Sequence, residues 1–113
     1  MNIYKDKEKF NNYRKQCKSA KEDTFSTYIL YSSFYHLFKI GKSGNVEKRL
    51  KAFQKVIPDI VLIIEINVDV EVALHRVFKH KQHLFLKGFE WFYLSKKDIE
   101  IVRVLKSLIE NND

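Results

Sequence analysis

Apolar residues recur at intervals of three and four in four segments of the chain, and this spacing predicts four amphipathic helices. The first spans residues 5–20, and the second follows Asn45, a good N-cap, and ends at Pro58. The third follows Asp69 as its cap, and the fourth opens with Ser95 in an S-x-x-D capping pattern. The expected core-facing positions are, in chain order, Phe10, Tyr13, Cys17 and Ala20; Val46, Leu50, Phe53 and Ile57; Val70, Leu74, Val77, Phe78 and Lys81; and Ile99, Val102, Leu105 and Ile109.

Stretches rich in β-branched and aromatic residues lie between these helices and predict strands. Residues 25–31 and 36–40 form an expected hairpin around a turn at 32–35. Residues 59–68 are the most β-branched run, which predicts a central, largely buried third strand. F-E-W-F-Y-L, after a turn at Gly88, is a short aromatic strand or packing segment. We therefore predict an α+β fold: a small, mostly antiparallel three-stranded sheet with a β-β-α-β-α core, flanked by helices.

The length and composition of the chain predict a single domain. It has 113 residues, 45% of them hydrophobic, including nine Phe and six Tyr, which is enough apolar surface for one core without staples. We expect a helical extension at 1–24, the core at 25–94 and a C-terminal helix at 95–113. Cys17 is the only cysteine, so neither a disulfide within the chain nor a cysteine-rich zinc site can form, and a reducing compartment is favoured.

The chain is strongly basic, and this favours a polyanionic partner such as nucleic acid. Lys and Arg number 21 against 14 Asp and Glu, giving a net charge of +7 and a pI near 9.5. A soluble basic surface without a specific partner explains the same numbers. The N-terminus has no apolar signal region, and I-V-L-I-I-E-I is too short to span a membrane. We expect a protein of the cytoplasm or nucleus, inside the host cell if phage or viral, that is neither secreted nor membrane-bound.

The predicted hairpin places a tyrosine beside a lysine. If it closes symmetrically about Ser33 and Phe34, with a loop beginning at Gly41, Tyr28 lies opposite Lys39 on one face. A nearby ammonium favours the phenolate, and such a pair suits general-base work or phosphate positioning. An ordinary Tyr–Lys cross-strand contact is the structural alternative.

Two further charged residues flank apolar stripes without joining them. Arg49 lies about 70° from the middle of its helix stripe, at 3.6 residues per turn, where it can aim its planar fork at a phosphate. Glu71 has the same position on the next helix and suits an Mg²⁺ ion that keeps most of its waters. The alternatives are a surface arginine paired with an acid such as Glu47, and an acid that stabilises a helix N-terminus.

These motifs together resemble the GIY-YIG nuclease superfamily, and most closely its small phage and viral branch. The order is Y-I-L, then K-I-G, then an arginine eight residues after the glycine, then E-x-x-x-H on a helix, and finally E-W-F, over residues 28–94. The chain departs from the family pattern where Ser26 and Thr27 replace the first glycine and isoleucine, and where Lys39 replaces a tyrosine. Phe53 stands one turn after the arginine, in place of a histidine.

The resemblance implies hydrolysis of DNA phosphodiester bonds with Mg²⁺ or Mn²⁺. Tyr28, assisted by Lys39, would activate or orient water, Arg49 would bind the scissile phosphate, and Glu71 would hold the metal. His75 can serve the same site as a proton carrier or water ligand, and is equally explained as a half-exposed helix residue. The predicted nucleic-acid contacts are Lys42, Lys48, Lys79 and Lys81.

Other readings of these residues stay open. Glu90 is expected to pair with a nearby cation and not to be catalytic, and Trp91 is expected in the core. A catalytically inactive nucleic-acid-binding module, or a small basic protein-interaction domain on the same scaffold, is the alternative to a nuclease. The nuclease predicts cleavage of DNA, with branched or structured molecules among the candidate substrates, whereas the alternatives predict affinity without cleavage.

Overall fold

The computed structural model describes residues 25–83 and 90–111, and its fold is α+β as predicted. The predicted helix at 5–20 and the turn at Gly88 lie outside these residues. The elements in chain order are β1 (Ser26–Ser32), β2 (Leu37–Ser43), α1 (Val46–Gln54), β3 (Val61–Ile66), α2 (Glu71–Val77), a 3₁₀ turn (Lys79–Lys81), β4 (Trp91–Phe92) and α3 (Lys96–Glu110).

The sheet has four antiparallel strands in the order β3-β1-β2-β4, which are the three predicted strands and the aromatic segment that the sequence left as a strand or a packing segment. The aromatic segment adds the fourth strand by pairing with β2 through Phe38↔Phe92 and Lys39↔Trp91. The β-branched run is not central: β3 is an edge strand, with Val61 and Leu62 exposed. The β-branched composition of this run correctly indicated a strand. It is β1, however, that pairs with a strand on each side, β2 and β3, and so lies inside the sheet.

The hairpin register differs from the symmetric prediction by two residues. Ser32 pairs with Leu37, and Tyr28 therefore pairs with Gly41 instead of Lys39. The turn is residues 33–36, and β2 continues through the expected loop to Ser43. Because side chains alternate with a period of two, a two-residue shift keeps every residue on its predicted face.

Each face of the sheet carries its own apolar cluster. Helix α1 covers one face, where its Val46 packs with Tyr28, Leu30, Leu37 and Trp91. Helices α2 and α3 cover the other. The buried residues there are Ile29, Ile40, Ile64, Ile66, Leu74, Phe78, Phe92 and Val102. Residues of β1, β2 and β4 are therefore buried on both sides of the sheet.

Two of the predicted helix caps are confirmed, and one is wrong. The Asn45 side chain accepts a hydrogen bond from the Lys48 N–H, and Ser95 forms a complete capping box with its N3 residue. Helix α2, however, has Val70 at its N-cap without a side-chain cap. The Asp69 carboxylate accepts instead from the N–H of Glu71 at 3.2 Å.

The predicted inward stripe of α2 holds for Leu74 and Phe78 but not for Val77, which is exposed because the helix ends there and turns into the 3₁₀ segment. Lys81 forms an ion pair with Asp98 of α3. Burial favours a higher pKa for the Asp98 carboxyl, but hydrogen bonds from Lys81 and Ser95 outweigh it and lower that pKa. The pair therefore joins the 3₁₀ segment to the start of α3.

Within 25–83 and 90–111, none of the helices combines the length and apolar character needed to cross a membrane.

Candidate active site

The centre of the candidate site is the phenol of Tyr28, which lies over the backbone of β2. The residue is 1% exposed and pairs across the hairpin with Gly41. A Cβ atom at position 41 would lie 2.4 Å from the Tyr28 Oη and 2.5 Å from its Cζ. The phenol thus occupies the space that any other residue at position 41 would fill. This contact explains why the second motif needs a glycine at that position.

The hydrogen-bond partner of Tyr28 is Arg49 of α1, and not Lys39 as predicted. Burial raises the pKa of the phenol, and the negative charges of Glu90 and Glu71 raise it further; the Arg49 guanidinium lowers it but does not compensate. The neutral phenol is therefore the favoured form. The predicted cross-strand pairing of Tyr28 with Lys39 was wrong, and the ammonium of Lys39 has another partner.

That partner is Glu90. The Lys39 Nζ lies 3.1 Å from the Glu90 Oε1, and it also stands 4.9 Å from the ring centre of Phe53 and 5.1 Å from that of Trp91. A buried ammonium requires a counter-charge, and aromatic faces attract a cation further. Lys39 is therefore held in a fixed place beside the tyrosine by a carboxylate and two rings. The predicted pairing of Glu90 with a nearby cation is confirmed.

The ring of Phe53 contacts the Tyr28 ring and the two cations of this face, Lys39 and Arg49. Its ring centre lies 5.2 Å from the Arg49 Cζ and 6.4 Å from the ring centre of Tyr28, in addition to its contact with Lys39. Arg49 itself is an exposed residue of α1, so its guanidinium is supported on one side and open to solvent on the other. This arrangement matches the rim position that the helical spacing predicted.

Glu71 is the first residue of α2, and its side chain is 17% exposed. Burial raises the pKa of its carboxyl, and the neighbouring charge of Glu90 raises it further; His75 and Lys42 oppose the shift but do not cancel it. The charge of Glu90 therefore raises the pKa of both Glu71 and Tyr28, and the charge of Glu71 raises that of Tyr28, which indicates that the three groups lie near one another.

His75 joins α2 to the sheet. Its Nε2 lies 2.8 Å from the carbonyl oxygen of Ile40 and 4.0 Å from the Glu71 Oε2, and its ring meets that of Phe92 edge-on at 5.0 Å. The carbonyl can only accept, so Nε2 carries a proton and donates it there. A proton-carrying role for this residue stays a prediction, and it would have to use Nδ1.

The four lysines predicted to bind nucleic acid lie in different surroundings. The Lys42 Nζ is 3.1 Å from the Asp69 Oδ2, and its charge acts on Glu71, so it belongs to the site. Lys48 and Lys79 are exposed on α1 and on the 3₁₀ turn. Lys81 is ion-paired with α3, as described above. Their contact with nucleic acid stays a prediction.

The structure therefore brings Tyr28, Lys39, Arg49 and Glu71 to one site, and it adds residues that the sequence reasoning left out. These are Glu90, which was set aside as non-catalytic, and the two rings of Phe53 and Trp91. A signal for Glu90 exists in the sequence: a lysine between apolar residues of a strand needs a counter-charge, and the E-W-F motif supplies an acid. Nothing local indicates that these two segments pair.

The residues around Glu71 bear on the metal ion that is predicted to bind there. Within the described ranges, no group of three or more His, Cys, Asp and Glu residues is arranged to hold a metal ion. Mg²⁺ commonly binds one or two carboxylates and takes its remaining ligands from waters and substrate phosphates. A half-buried carboxylate whose charged form is disfavoured fits that chemistry, because a cation beside it would relieve the charge.

One known family matches the region of the chain that contains this site. The profile of the T5orf172 domain matches residues 25–107, a range that holds all the residues of the candidate site. The chain belongs to the T5orf172 family. The T5orf172 domain is phage-associated and related to GIY-YIG-like nuclease folds, and it suggests a nuclease-like or DNA-binding role. Comparisons with curated proteins and with solved structures gave no significant match.

Substituting the glycine beneath the phenol tests this geometry. Gly41→Ala should lower the free energy of unfolding by about 1–3 kcal/mol in urea titrations, because the new methyl group forces the buried ring out of its place. Gly44→Ala is the matched control, since its Cβ would meet Phe25 at 3.4 Å, an ordinary contact. Equal stability of the two variants would contradict the close approach.

The raised pKa of Glu71 leads to a second prediction, which is that the charge of this residue destabilises the fold. A carboxyl whose pKa is higher in the folded than in the unfolded protein destabilises the fold when charged. Glu71→Gln should therefore raise the melting temperature at pH 7, although an acid is ordinarily favourable in the first turn of a helix. The gain should shrink as the pH falls through the raised pKa, and vanish below the ordinary glutamate value.

Glu100→Gln, an exposed substitution on α3, is the control and should change the free energy of unfolding by less than about 0.5 kcal/mol. A lower melting temperature for Glu71→Gln at pH 7 would show that the charge of Glu71 stabilises the fold.

Proposed function

We propose that this chain is a GIY-YIG-type endonuclease that hydrolyses DNA phosphodiester bonds with a divalent metal ion. One arrangement carries the proposal: the Tyr28 phenol packs on Gly41 of β2, Arg49 of α1 shares the Phe53 ring with it, and His75, 4.0 Å from Glu71, contacts the carbonyl of the neighbouring Ile40. The membership in the T5orf172 family and the net charge of +7 support it.

Arg49 would bind the scissile phosphate. Its guanidinium is held by the phenol of Tyr28 and by the ring of Phe53, and the residue remains exposed. A planar cation that is fixed before the substrate arrives stabilises the charge that builds on a phosphate in the transition state without further reorganisation.

Tyr28 would activate the attacking water. The neutral phenol is favoured at rest, so the reactive phenolate is a minor form, and the hydrogen bond from Arg49 is the contact that stabilises it. In the hydrolysis, the phenolate takes a proton from water, the water oxygen bonds to phosphorus, and the bond from phosphorus to the leaving oxygen breaks. Lys39 would hold Glu90 and the surrounding rings in position.

Glu71 is the residue that would hold Mg²⁺ or Mn²⁺, with Lys42 and His75 beside it. Such an ion, when bound, acts as a Lewis acid at the phosphate and stabilises charge on the leaving oxygen. The pairing of Lys42 with Asp69 keeps that lysine from neutralising Glu71 directly.

A DNA-binding module without chemistry is the second candidate, and the preference for a neutral phenol favours it. The two differ in outcome: the module binds DNA but leaves it intact in the presence of either metal. A domain that binds an acidic protein would show no steep dependence of DNA affinity on salt.

Cleavage of labelled duplex, single-stranded and branched DNA with Mg²⁺ or Mn²⁺ tests the assignment. We expect Arg49→Ala and Glu71→Gln each to lower the cleavage rate by at least about a hundredfold, the size found when one transition-state donor is removed. Arg103→Ala and Glu100→Gln, matched in charge and located on α3, should cut at the wild-type rate. Full activity of the first pair would refute the site.

The pH dependence of cleavage tests the role of Tyr28. Because the pKa of the phenol is raised above its ordinary value, the phenolate fraction grows about tenfold per pH unit across the neutral and mildly alkaline range. The single-turnover rate should rise accordingly between about pH 6.5 and 9, and Tyr28→Phe should be slow without that rise. A wild-type slope in Tyr28→Phe would assign the proton transfer to another group.

A further inference from the structure

The turn between β1 and β2 exposes two aromatic side chains at one end of the sheet. Phe34 is 75% exposed and Tyr35 is 42% exposed, and their ring centres lie 4.9 Å apart at an interplanar angle of 86°. Exposed aromatic pairs of this kind are typical of binding surfaces, because they leave apolar area in water until a partner covers it.

The turn that carries these rings is held in one conformation. The Asp59 carboxylate accepts hydrogen bonds from the N–H of Phe34 at 2.8 Å and from the hydroxyls of Ser33 at 2.9 Å and Ser32 at 3.1 Å. The bond from Phe34 is also the main reason that the pKa of Asp59 is lowered. Rings held in place before binding lose little entropy when a partner arrives.

A groove of about 530 Å³ is lined by the turn and by residues 56–59, which follow α1, and the Asp59 carboxylate joins these two segments. Phe34 and Tyr35 line one side, and Val56, Ile57 and Pro58 line the other. Grooves of this size take small planar molecules. The walls are mainly apolar, with the Asp59 carboxylate at one edge.

The turn is continuous with the candidate active site. The ring of Tyr35 lies 6.4 Å from that of Trp91, which contacts the Lys39 ammonium, and Lys39 in turn contacts Phe53. Phe53 then contacts Arg49. Contacts between rings and cations therefore link the exposed turn to the arginine proposed to bind the scissile phosphate, by way of the buried side chains of Trp91 and Lys39.

Helix α1, which leads along the chain from Arg49 to the groove-lining residues 56–59, is positively charged. Residues 46–55 contain three lysines and Arg49 against a single acid, Glu47, and all of these residues are exposed. Aromatic platforms beside a cationic groove are the recurring design for binding single-stranded nucleic acid.

We propose that Phe34 and Tyr35 form a stacking platform for an unpaired nucleobase of the same DNA strand whose phosphate Arg49 binds. The inference rests on the proposed function and specifies its substrate: DNA with unpaired nucleotides beside the cleaved bond, such as single strands, forks or flaps. The bases of an intact duplex are stacked within the helix and cannot reach the turn.

The test measures DNA affinity separately from cleavage. Fluorescence anisotropy in EDTA, at one fixed salt concentration, compares a labelled single strand with the same strand in a duplex. Phe34→Ala should weaken binding of the single strand roughly tenfold, as expected for loss of one stacked base, and should change duplex binding by less than about twofold. Phe34→Trp should restore the affinity, because it restores a stacking face.

Two controls identify the chemistry. Phe34→Leu keeps an apolar side chain but removes the π-face, so it should behave like Phe34→Ala if a base stacks there. Tyr93→Ala removes an exposed tyrosine ring that lies beside His83 and should bind single strands like the wild type. Ultraviolet cross-linking followed by mass spectrometry should place the base on Phe34 or Tyr35.

Wild-type affinity in Phe34→Leu, equal losses for single strand and duplex, or cross-links confined to other residues would each overturn the proposal, as would absence of DNA binding by the wild type. If the wild type binds through Phe34 but never cuts, the platform stands and the nuclease assignment fails. If it cuts every substrate equally well with and without Phe34, the nuclease stands and the platform fails.

Discussion

The close packing of one phenol against bare backbone is the constraint on which this site depends. Tyr28 is buried between α1 and the sheet, and its hydroxyl reaches Arg49 only because Gly41 leaves room for the ring. A side chain at position 41 would displace the Tyr28 ring from the space between β2 and α1. Strand pairing, helix placement and the position of the guanidinium are thus coupled through one contact.

The charge of Glu90 has a favourable and an unfavourable effect on the groups around this contact. Glu90 neutralises the buried ammonium of Lys39, yet its charge also disfavours ionisation of Tyr28 and of Glu71. The same carboxylate therefore stabilises one side of the cluster and strains the other. The charged form of the Glu71 carboxyl is thus disfavoured while the Tyr28 phenol is kept neutral, and shifted ionisation of this kind is common at functional sites.

The sheet also relates the chemistry to the surface around it. Because β2 lies between β1 and β4, Lys39 meets both Trp91 across the strand pair and Phe53 from α1. The hairpin that positions Tyr28 at one end presents Phe34 at the other. A single hairpin therefore connects the proposed reaction centre with the proposed binding platform.

The sequence by itself determined the local features of this protein. Helix caps at Asn45 and Ser95, the hairpin and the apolar stripes of α1 and α3 followed from spacing and from hydrogen bonds between near neighbours, and the motif resemblance placed Tyr28, Arg49 and Glu71 together. These signals are readable because each depends on residues within a few positions. The T5orf172 match agrees with that resemblance.

Only the tertiary structure decided which groups are partners. The edge position of β3, the two-residue shift of the hairpin, the pairing of Lys39 with Glu90 and that of Tyr28 with Arg49 depend on which distant segments pack together. The direction of a pKa shift likewise follows from burial and from charges brought in by other elements. Composition and periodicity show which face of a segment is buried, but not which distant segment packs against that face.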